Sequence, residues 1–247
     1  VRILLVDDSE DNRKLMQFYL EKTPHTLQTV GDGQAAVETF KGTSFDLVLM
    51  DMQMPVMDGY AATREIRQWE SQQKIDSTPV VALTASALKG DAEKSLAAGC
   101  NMHLTKPIKK KRLLDVIATM SGQSVSGEDI SGNSQNVEVR SDETEADSHG
   151  RIVVTIDADL KELIPGYLAN RRKDIKLIRE SLAAGDYESL RLKGHSMIGS
   201  GSSYGFHEIS RIGRLINSAA KKQDNDRIRK SFDELISYLE RLNIVYK

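Results

Sequence analysis

Cysteine is almost missing: Cys100 is the single one in 247 residues. That excludes an internal disulfide framework and any cysteine-based zinc cluster, and makes a reducing, cytoplasmic setting the expectation. Nor is charge of one sign in excess. Lys plus Arg number 34 and Asp plus Glu 36, a formal net charge of -2, so no global field calls for nucleic acid or a membrane surface. No apolar run approaches the ~20 residues of a membrane span, and no signal peptide precedes the first strand-like run. Also missing are a DNA-binding segment and a Gly-rich phosphate loop closing on Lys-Ser/Thr, so nothing here draws phosphate from ATP. The chain starts at Val1, already inside a strand-like run and without Met, which points to a trimmed chain or a piece of a longer protein.

The length suffices for two ordinary domains. From 1 to 122, short β-rich runs alternate with helical patterns: "RILLV" then "NRKLMQFYLEK", "TLQTV" then "GQAAVETFKG", "FDLVLM" then "YAATREIRQWE". The alternation continues through "PVVALTA", "DAEKSLAAG", "NMHLT" and "KKKRLLDVIATM". Five strand-helix units predict a (βα)5 doubly wound parallel sheet of flavodoxin-like class, covered on both faces. The continuously apolar runs "ILLV", "LVLM" and "VVAL" suit strands buried on both sides. Residues 123–150 are rich in Ser, Gly, Asp and Glu with no aromatic, and read as a flexible linker. Over 151–247 the pattern is purely helical. Ile164, Leu168, Ile175, Ile178 and Leu182 form one stripe and Ile228, Phe232, Leu235, Leu239 and Leu242 another, with two further segments near 186–202 and 206–221. Four stripes with short connections predict an all-α four-helix bundle.

In an open parallel sheet, function gathers beyond the carboxyl ends of the strands. Asp7 and Asp8 end the first strand, Asp51 the third, Thr84 the fourth and Lys106 the fifth. A lone aspartate there is an ordinary helix N-cap; three carboxylates, a hydroxyl and a lysine on one edge ask for more. Clustered carboxylates repel unless a cation sits among them, and an all-oxygen site suits Mg²⁺. A carboxylate so placed is also a nucleophile toward phosphorus, and the lysine and hydroxyl stabilise phosphoryl oxygens.

The combination of "VDDS", "LMDMQMPVMDG", "ALTA" and "LTKP" resembles the receiver domain of response regulators, especially those attached to hybrid histidine kinases, over about residues 1–120. The resemblance implies that Asp51 is the phosphoacceptor. Asp8 and Asp51 would then hold Mg²⁺, with Asp7 contributing through water and Gln53 through its backbone carbonyl. Thr84 and Lys106 would bind phosphoryl oxygens, and the Lys106-Pro107 bond would be cis. It also implies a bacterial two-component system, in a family whose receiver domains often form a homodimer through the face of their last helices, although the oligomeric state is not written in the sequence. One departure is His103, where the family usually carries Tyr or Phe as a rotating switch residue.

His195 stands out among the histidines. At ~100° per residue, Tyr187, Leu190, Gly194, Met197 and Gly201 share one helix face and His195 projects about 120° away from its centre. That predicts an imidazole open to solvent, uncovered by Gly199 one turn on. Glycine inside a helix costs ~1 kcal/mol relative to Ala, so Gly194, Gly199 and Gly201 together call for close approach by a partner protein. "GHSMIGSGSSYGF" resembles the active helix of histidine phosphotransfer (Hpt) domains, over about 155–245. His195 would be the phosphohistidine. Ile198 departs from the family, where most members carry Lys, and Arg191 is the nearest replacement for that charge.

Together the two resemblances imply a phosphorelay intermediate: phosphate from an upstream histidine kinase to Asp51, then to His195, then to a downstream response regulator. A flexible linker of ~28 residues spans roughly 30 Å, so the middle step fits within one chain at an effective concentration of order millimolar. Two other readings compete. One is a phosphorylation-switched binding module in which Asp51 alone acts. The other is an aspartate-based phosphatase or phosphomutase, against which the missing cap domain counts. A free two-domain protein and the tail of a hybrid kinase are both open.

Overall fold

In the computed structural model of the chain, residues 1–85, 89–122 and 150–247 are described, and the expected linker falls outside them except for Gly150. The chain divides into two compact units, Val1–Ser134 and Gln135–Lys247. Among the described residues no helix is long and apolar enough to cross a membrane.

The first unit runs β1 (Arg2–Val6), α1 (Glu10–Leu20), β2 (Thr26–Val30), α2 (Gly33–Gly42), β3 (Leu47–Asp51), α3 (Gly59–Gln73), β4 (Val80–Thr84), α4 (Lys89–Ala97), β5 (Met102–Thr105) and α5 (Lys110–Met120). The five strands are parallel in the order β2-β1-β3-β4-β5, which is the flavodoxin-like order. Every residue of β3 and β4 is buried, as continuous apolar runs require when helices cover both faces. On one face Leu4, Val6, Val48, Met50, Val80 and Ala82 pack with Ala36, Phe40, Ala62 and Ile66 of α2 and α3. The alternate residues Ile3, Leu5, Leu49, Val81 and Leu83 are equally buried and point by the pleat to the other face.

Polar side chains start the first three helices. Ser9 accepts from Asn12 N, Asp32 from Ala35 N and Asp58 from Ala61 N, each relieving an orphan donor of a first turn. At the opposite end of the sheet, Arg67 donates to Gly99 O (2.9 Å), Thr78 O (2.9 Å), Glu70 Oε2 (2.7 Å) and Asn101 Oδ1 (3.0 Å). This guanidinium ties α3 to the starts of β4 and β5.

The second unit contains β6 (Ile152–Ile156), a short 3-10 turn, α6 (Ile164–Ala184), α7 (Tyr187–Ser203), α8 (His207–Lys221), α9 (Asn225–Arg241) and β7 (Leu242–Tyr246). Four helices match the four stripes, but the unit is not purely helical. β6 and β7 pair in parallel from Ile152 opposite Leu242 to Ile156 opposite Tyr246. "IVVTI" and "NIVY" are short β-branched runs whose partner lies at the far end of the unit, and Leu242 leaves the α9 stripe to begin the strand. The α6 stripe also differs: Tyr167, Arg171 and Asp174 are buried on it, whereas Ile175 and Leu182 are only half-buried. The Tyr167 ring stacks on Tyr204 (centroids 4.2 Å apart) and Phe206 (5.5 Å). Arg171 pairs with Asp174 at 3.0 Å, and Lys193 of α7 reaches the other Asp174 oxygen at 3.1 Å, so the buried carboxylate is compensated twice.

Candidate functional site

The parallel register brings the ends of β1, β3, β4 and β5 to one edge of the first unit. Asp7 and Asp8 follow β1, Asp51 is the last residue of β3 and Thr84 the last of β4. Lys106, just past β5, donates its backbone N–H to Thr84 O at 2.8 Å, which sets these two strand ends side by side. The Lys106-Pro107 bond is cis.

Asp7, Asp8 and Asp51 each offer a carboxylate oxygen within 4.8 Å of the others. Asp51 is only 2% exposed and Asp7 is likewise buried. The Lys106 ammonium lies 2.6 Å from Asp51 Oδ2 and 2.8 Å from Asp7 Oδ2. The ammonium thus bridges two of the three carboxylates. Burial, then Asp7 and Asp51, push the Asp8 carboxyl up to about 7, with Lys106 opposing. Burial likewise holds Asp51 above the ordinary carboxylate range, against the pull of Lys106. For Lys106 burial alone would lower the pKa, but Asp51 and Asp7 overcome it and raise it, so the ammonium stays charged.

The loop after β3 explains why proline and glycine follow Asp51. Gln53 N–H donates to Asp51 Oδ1 at 3.2 Å, while the Gln53 side chain is exposed. The chain then turns through Pro55 and Met57, where a 2.8 Å N–H to carbonyl bond closes around Val56 at φ +67. Gly59 returns against β3 so closely that a Cβ would stand 2.1 Å from Asp51 O; only glycine fits. Two further residues touch the site that strand-end reasoning passed over. Ser9 N–H and the Asn12 amide both donate to Asp7. Their signal was the polar first turn in "VDDSEDN".

The acidic group fits a hard divalent cation: three convergent carboxylate oxygens, with a single ammonium bridging two of the three carboxylates. His103 lies exposed on edge strand β5, opposite Ala82.

His195 lies in the second unit, and its expected exposure is corrected: it is 6% exposed, and Gly199 is buried as well. The helical wheel assumed one covered face, but α7 is held from two directions. Lys193 and Ser200 meet α6 through Asp174 and Arg171. On the other side a Cβ at Gly194 would stand 2.7 Å from Asn217 N, and one at Gly201 2.6 Å from Ser210 N. The helix glycines 194 and 201 therefore serve the approach of α8 within the unit, not that of a partner protein. Arg191 is bound bidentately by Glu188 at 2.9 and 2.6 Å, so its charge is already partly compensated.

The Response regulator receiver domain family matches residues 3–118. The sensor histidine kinase GacS of Pseudomonas protegens is 31% identical over 243 residues, 98% of this chain and 26% of GacS. The signal transduction histidine-protein kinase BarA of Escherichia coli K12 is 43% identical over 115 residues, 47% of this chain and 12% of BarA. Among solved structures, the receiver domain of the sensor histidine kinase PA1611 from Pseudomonas aeruginosa, with magnesium coordinated in its active site cleft, is 40% identical. It superposes with a TM-score of 0.45 over 49% of this chain and 97% of that domain. The chain spans 26% and 22% of the two GacS relatives it matches. Residues 3–118 are thus a response regulator receiver domain, homologous to the receiver domains of hybrid histidine kinases.

Proposed function

We propose that the chain is a phosphorelay intermediate of a two-component system, with receiver residues 1–122, a linker over 123–150 and a histidine phosphotransfer bundle over 151–247. The observation that carries the reading is the placement of Asp51, a buried carboxylate at a strand end, 2.6 Å from a charged lysine and beside two further carboxylates. An Asp51 oxygen attacks the phosphorus of a kinase phosphohistidine, the P–N bond breaks, and the imidazole leaves. As the new P–O bond removes the Asp51 negative charge, Lys106 pairs instead with the negative charge the phosphoryl oxygens bring, and Thr84 donates to one of those oxygens. Asp8, Asp51 and the Gln53 carbonyl would hold Mg²⁺, with Asp7 acting through water. When bound, the ion supplies positive charge at the phosphoryl oxygens. His195 then takes the phosphoryl group from Asp51, restoring the carboxylate, and hands it to a separate receiver protein.

The match to GacS runs over both units, which supports a place for this chain in a longer sensor kinase of that kind. The burial of His195 favours a second reading, in which Asp51 phosphorylation alone switches partner docking. The experiment is phosphoryl occupancy after exposure to acetyl phosphate with Mg²⁺, in wild type, Asp51→Ala and His195→Ala. A base-stable phosphate lost in both variants is the relay's expected result. Label on Asp51 alone, with unchanged signalling by His195→Gln, sinks the relay in favour of the switch.

A further inference from the structure

The first turn of α1 closes on Asp7. Asn12 is buried, and its side-chain amide donates to both Asp7 oxygens at 3.1 Å. Ser9 N–H donates to Oδ1 at 2.9 Å, the Lys106 ammonium reaches Oδ2 at 2.8 Å, and the Arg13 guanidinium donates to the Asp7 main-chain carbonyl. A carboxylate turns easily about its last bond, whose torsion is broad and two-fold. Three donors on two oxygens remove that freedom.

We infer that Asn12 is a positioning residue for the phosphoacceptor site: it fixes the Asp7 carboxylate so that Oδ2 anchors Lys106 between Asp7 and Asp51, leaving Asp8 and Asp51 as the direct oxygen ligands of a divalent cation. The inference rests on the phosphoacceptor reading of Asp51. Without the amide, the Asp7 carboxylate turns more freely about its last bond, and both its water-mediated hold on the cation and its hold on the ammonium weaken. Lys106, already 2.6 Å from Asp51 Oδ2, then keeps Asp51 as its better-held carboxylate and competes with both the cation and phosphorus for that oxygen. A merely structural Asn12 would support α1 and affect stability alone.

The test uses the full chain with Mg²⁺ as the probe. Titration calorimetry gives the Mg²⁺ affinity, and acetyl phosphate at saturating Mg²⁺ gives the labelling rate at Asp51. Asn12→Leu keeps the number and branching of the side-chain heavy atoms and removes the donor, and Asn12→Ala removes both. Arg67→Lys, at the opposite end of the sheet, is the control for lost stability. Outer-shell partners of metal ligands are worth on the order of tenfold or more in affinity, so both Asn12 variants are expected to bind Mg²⁺ about tenfold more weakly and to label more slowly even at saturation. The control should do neither. Wild-type affinity and rate in the Asn12 variants overturn the inference, whatever their melting temperatures. If neither variant folds, the unaltered chain decides. The Asn12 side-chain amide resonances should shift with Mg²⁺ at the calorimetric midpoint, and unmoved resonances overturn the inference. Failure of wild type to bind Mg²⁺ or to be labelled is a separate result, and it overturns the phosphoacceptor reading itself.

Discussion

Lys106 and Asp51 form a buried ion pair at 2.6 Å between the ends of strands that do not adjoin in sequence, with 55 positions separating them. The same ammonium also holds Asp7, so one residue compensates two buried carboxylates. Removing one partner of a buried pair costs about 3 to 5 kcal/mol because the other charge is stranded. Lys106→Ala, free of metal, is therefore expected to lose stability of that order at pH 8 and to regain part of it toward pH 5, as the stranded carboxylates take up protons. Urea unfolding at the two pH values checks this; an equal loss at both would mean the pair is not what the lysine contributes.

Asp8 predicts the pH dependence of the metal-free protein. Its folded pKa, about 7, lies above the ordinary 3.8, so between these values the folded state binds the proton that the unfolded state has released. Stability from this group is full below about pH 4 and declines as pH rises toward about 7, by a few kcal/mol at most. Mg²⁺, which favours the ionised carboxylate, should oppose the decline. Melting curves from pH 5 to 8, with and without Mg²⁺, in wild type and Asp8→Asn, test it: the variant should show a flatter profile.

The Arg67 guanidinium reaches Glu70, Asn101 and two main-chain carbonyls, and Glu70 is itself buried. Arg67→Ala strands that carboxylate and should lower stability by about 3 kcal/mol or more. Glu70→Gln, which keeps an acceptor for Thr78 N–H, should cost less. Denaturant midpoints of the two variants order them.

At Gly201 a Cβ would meet Ser210 Oγ at 2.5 Å and Ser210 N at 2.6 Å. Overpacking of this kind costs typically 1 to 3 kcal/mol, so Gly201→Ala should loosen α7 against α8. Hydrogen exchange should quicken in the second unit and stay unchanged in the first. The reverse pattern would mean that the glycine answers to something outside its own bundle.

The strand-helix alternation and the continuously apolar β3 and β4 were plain in the sequence because a doubly covered strand must be apolar throughout. Asp7, Asp8, Asp51 and Lys106 could be placed on one edge for the same reason: parallel strands put all their carboxyl ends on one side. Asn12 escaped notice because a polar residue in a first helical turn is unremarkable until its neighbour across the turn is known.

In the second unit, local pattern determined the four helices, since each carries its own apolar stripe. It did not determine β6 with β7, or the burial of Arg171 and Asp174, which depend on partners far along the chain. His195 marks the same divide. Sequence by itself placed it on a helix beside small residues, and by a single buried stripe assigned it to solvent. Tertiary packing decided that it is covered, because exposure belongs to the whole set of surfaces around a side chain and a helix carries only one of them in its own periodicity.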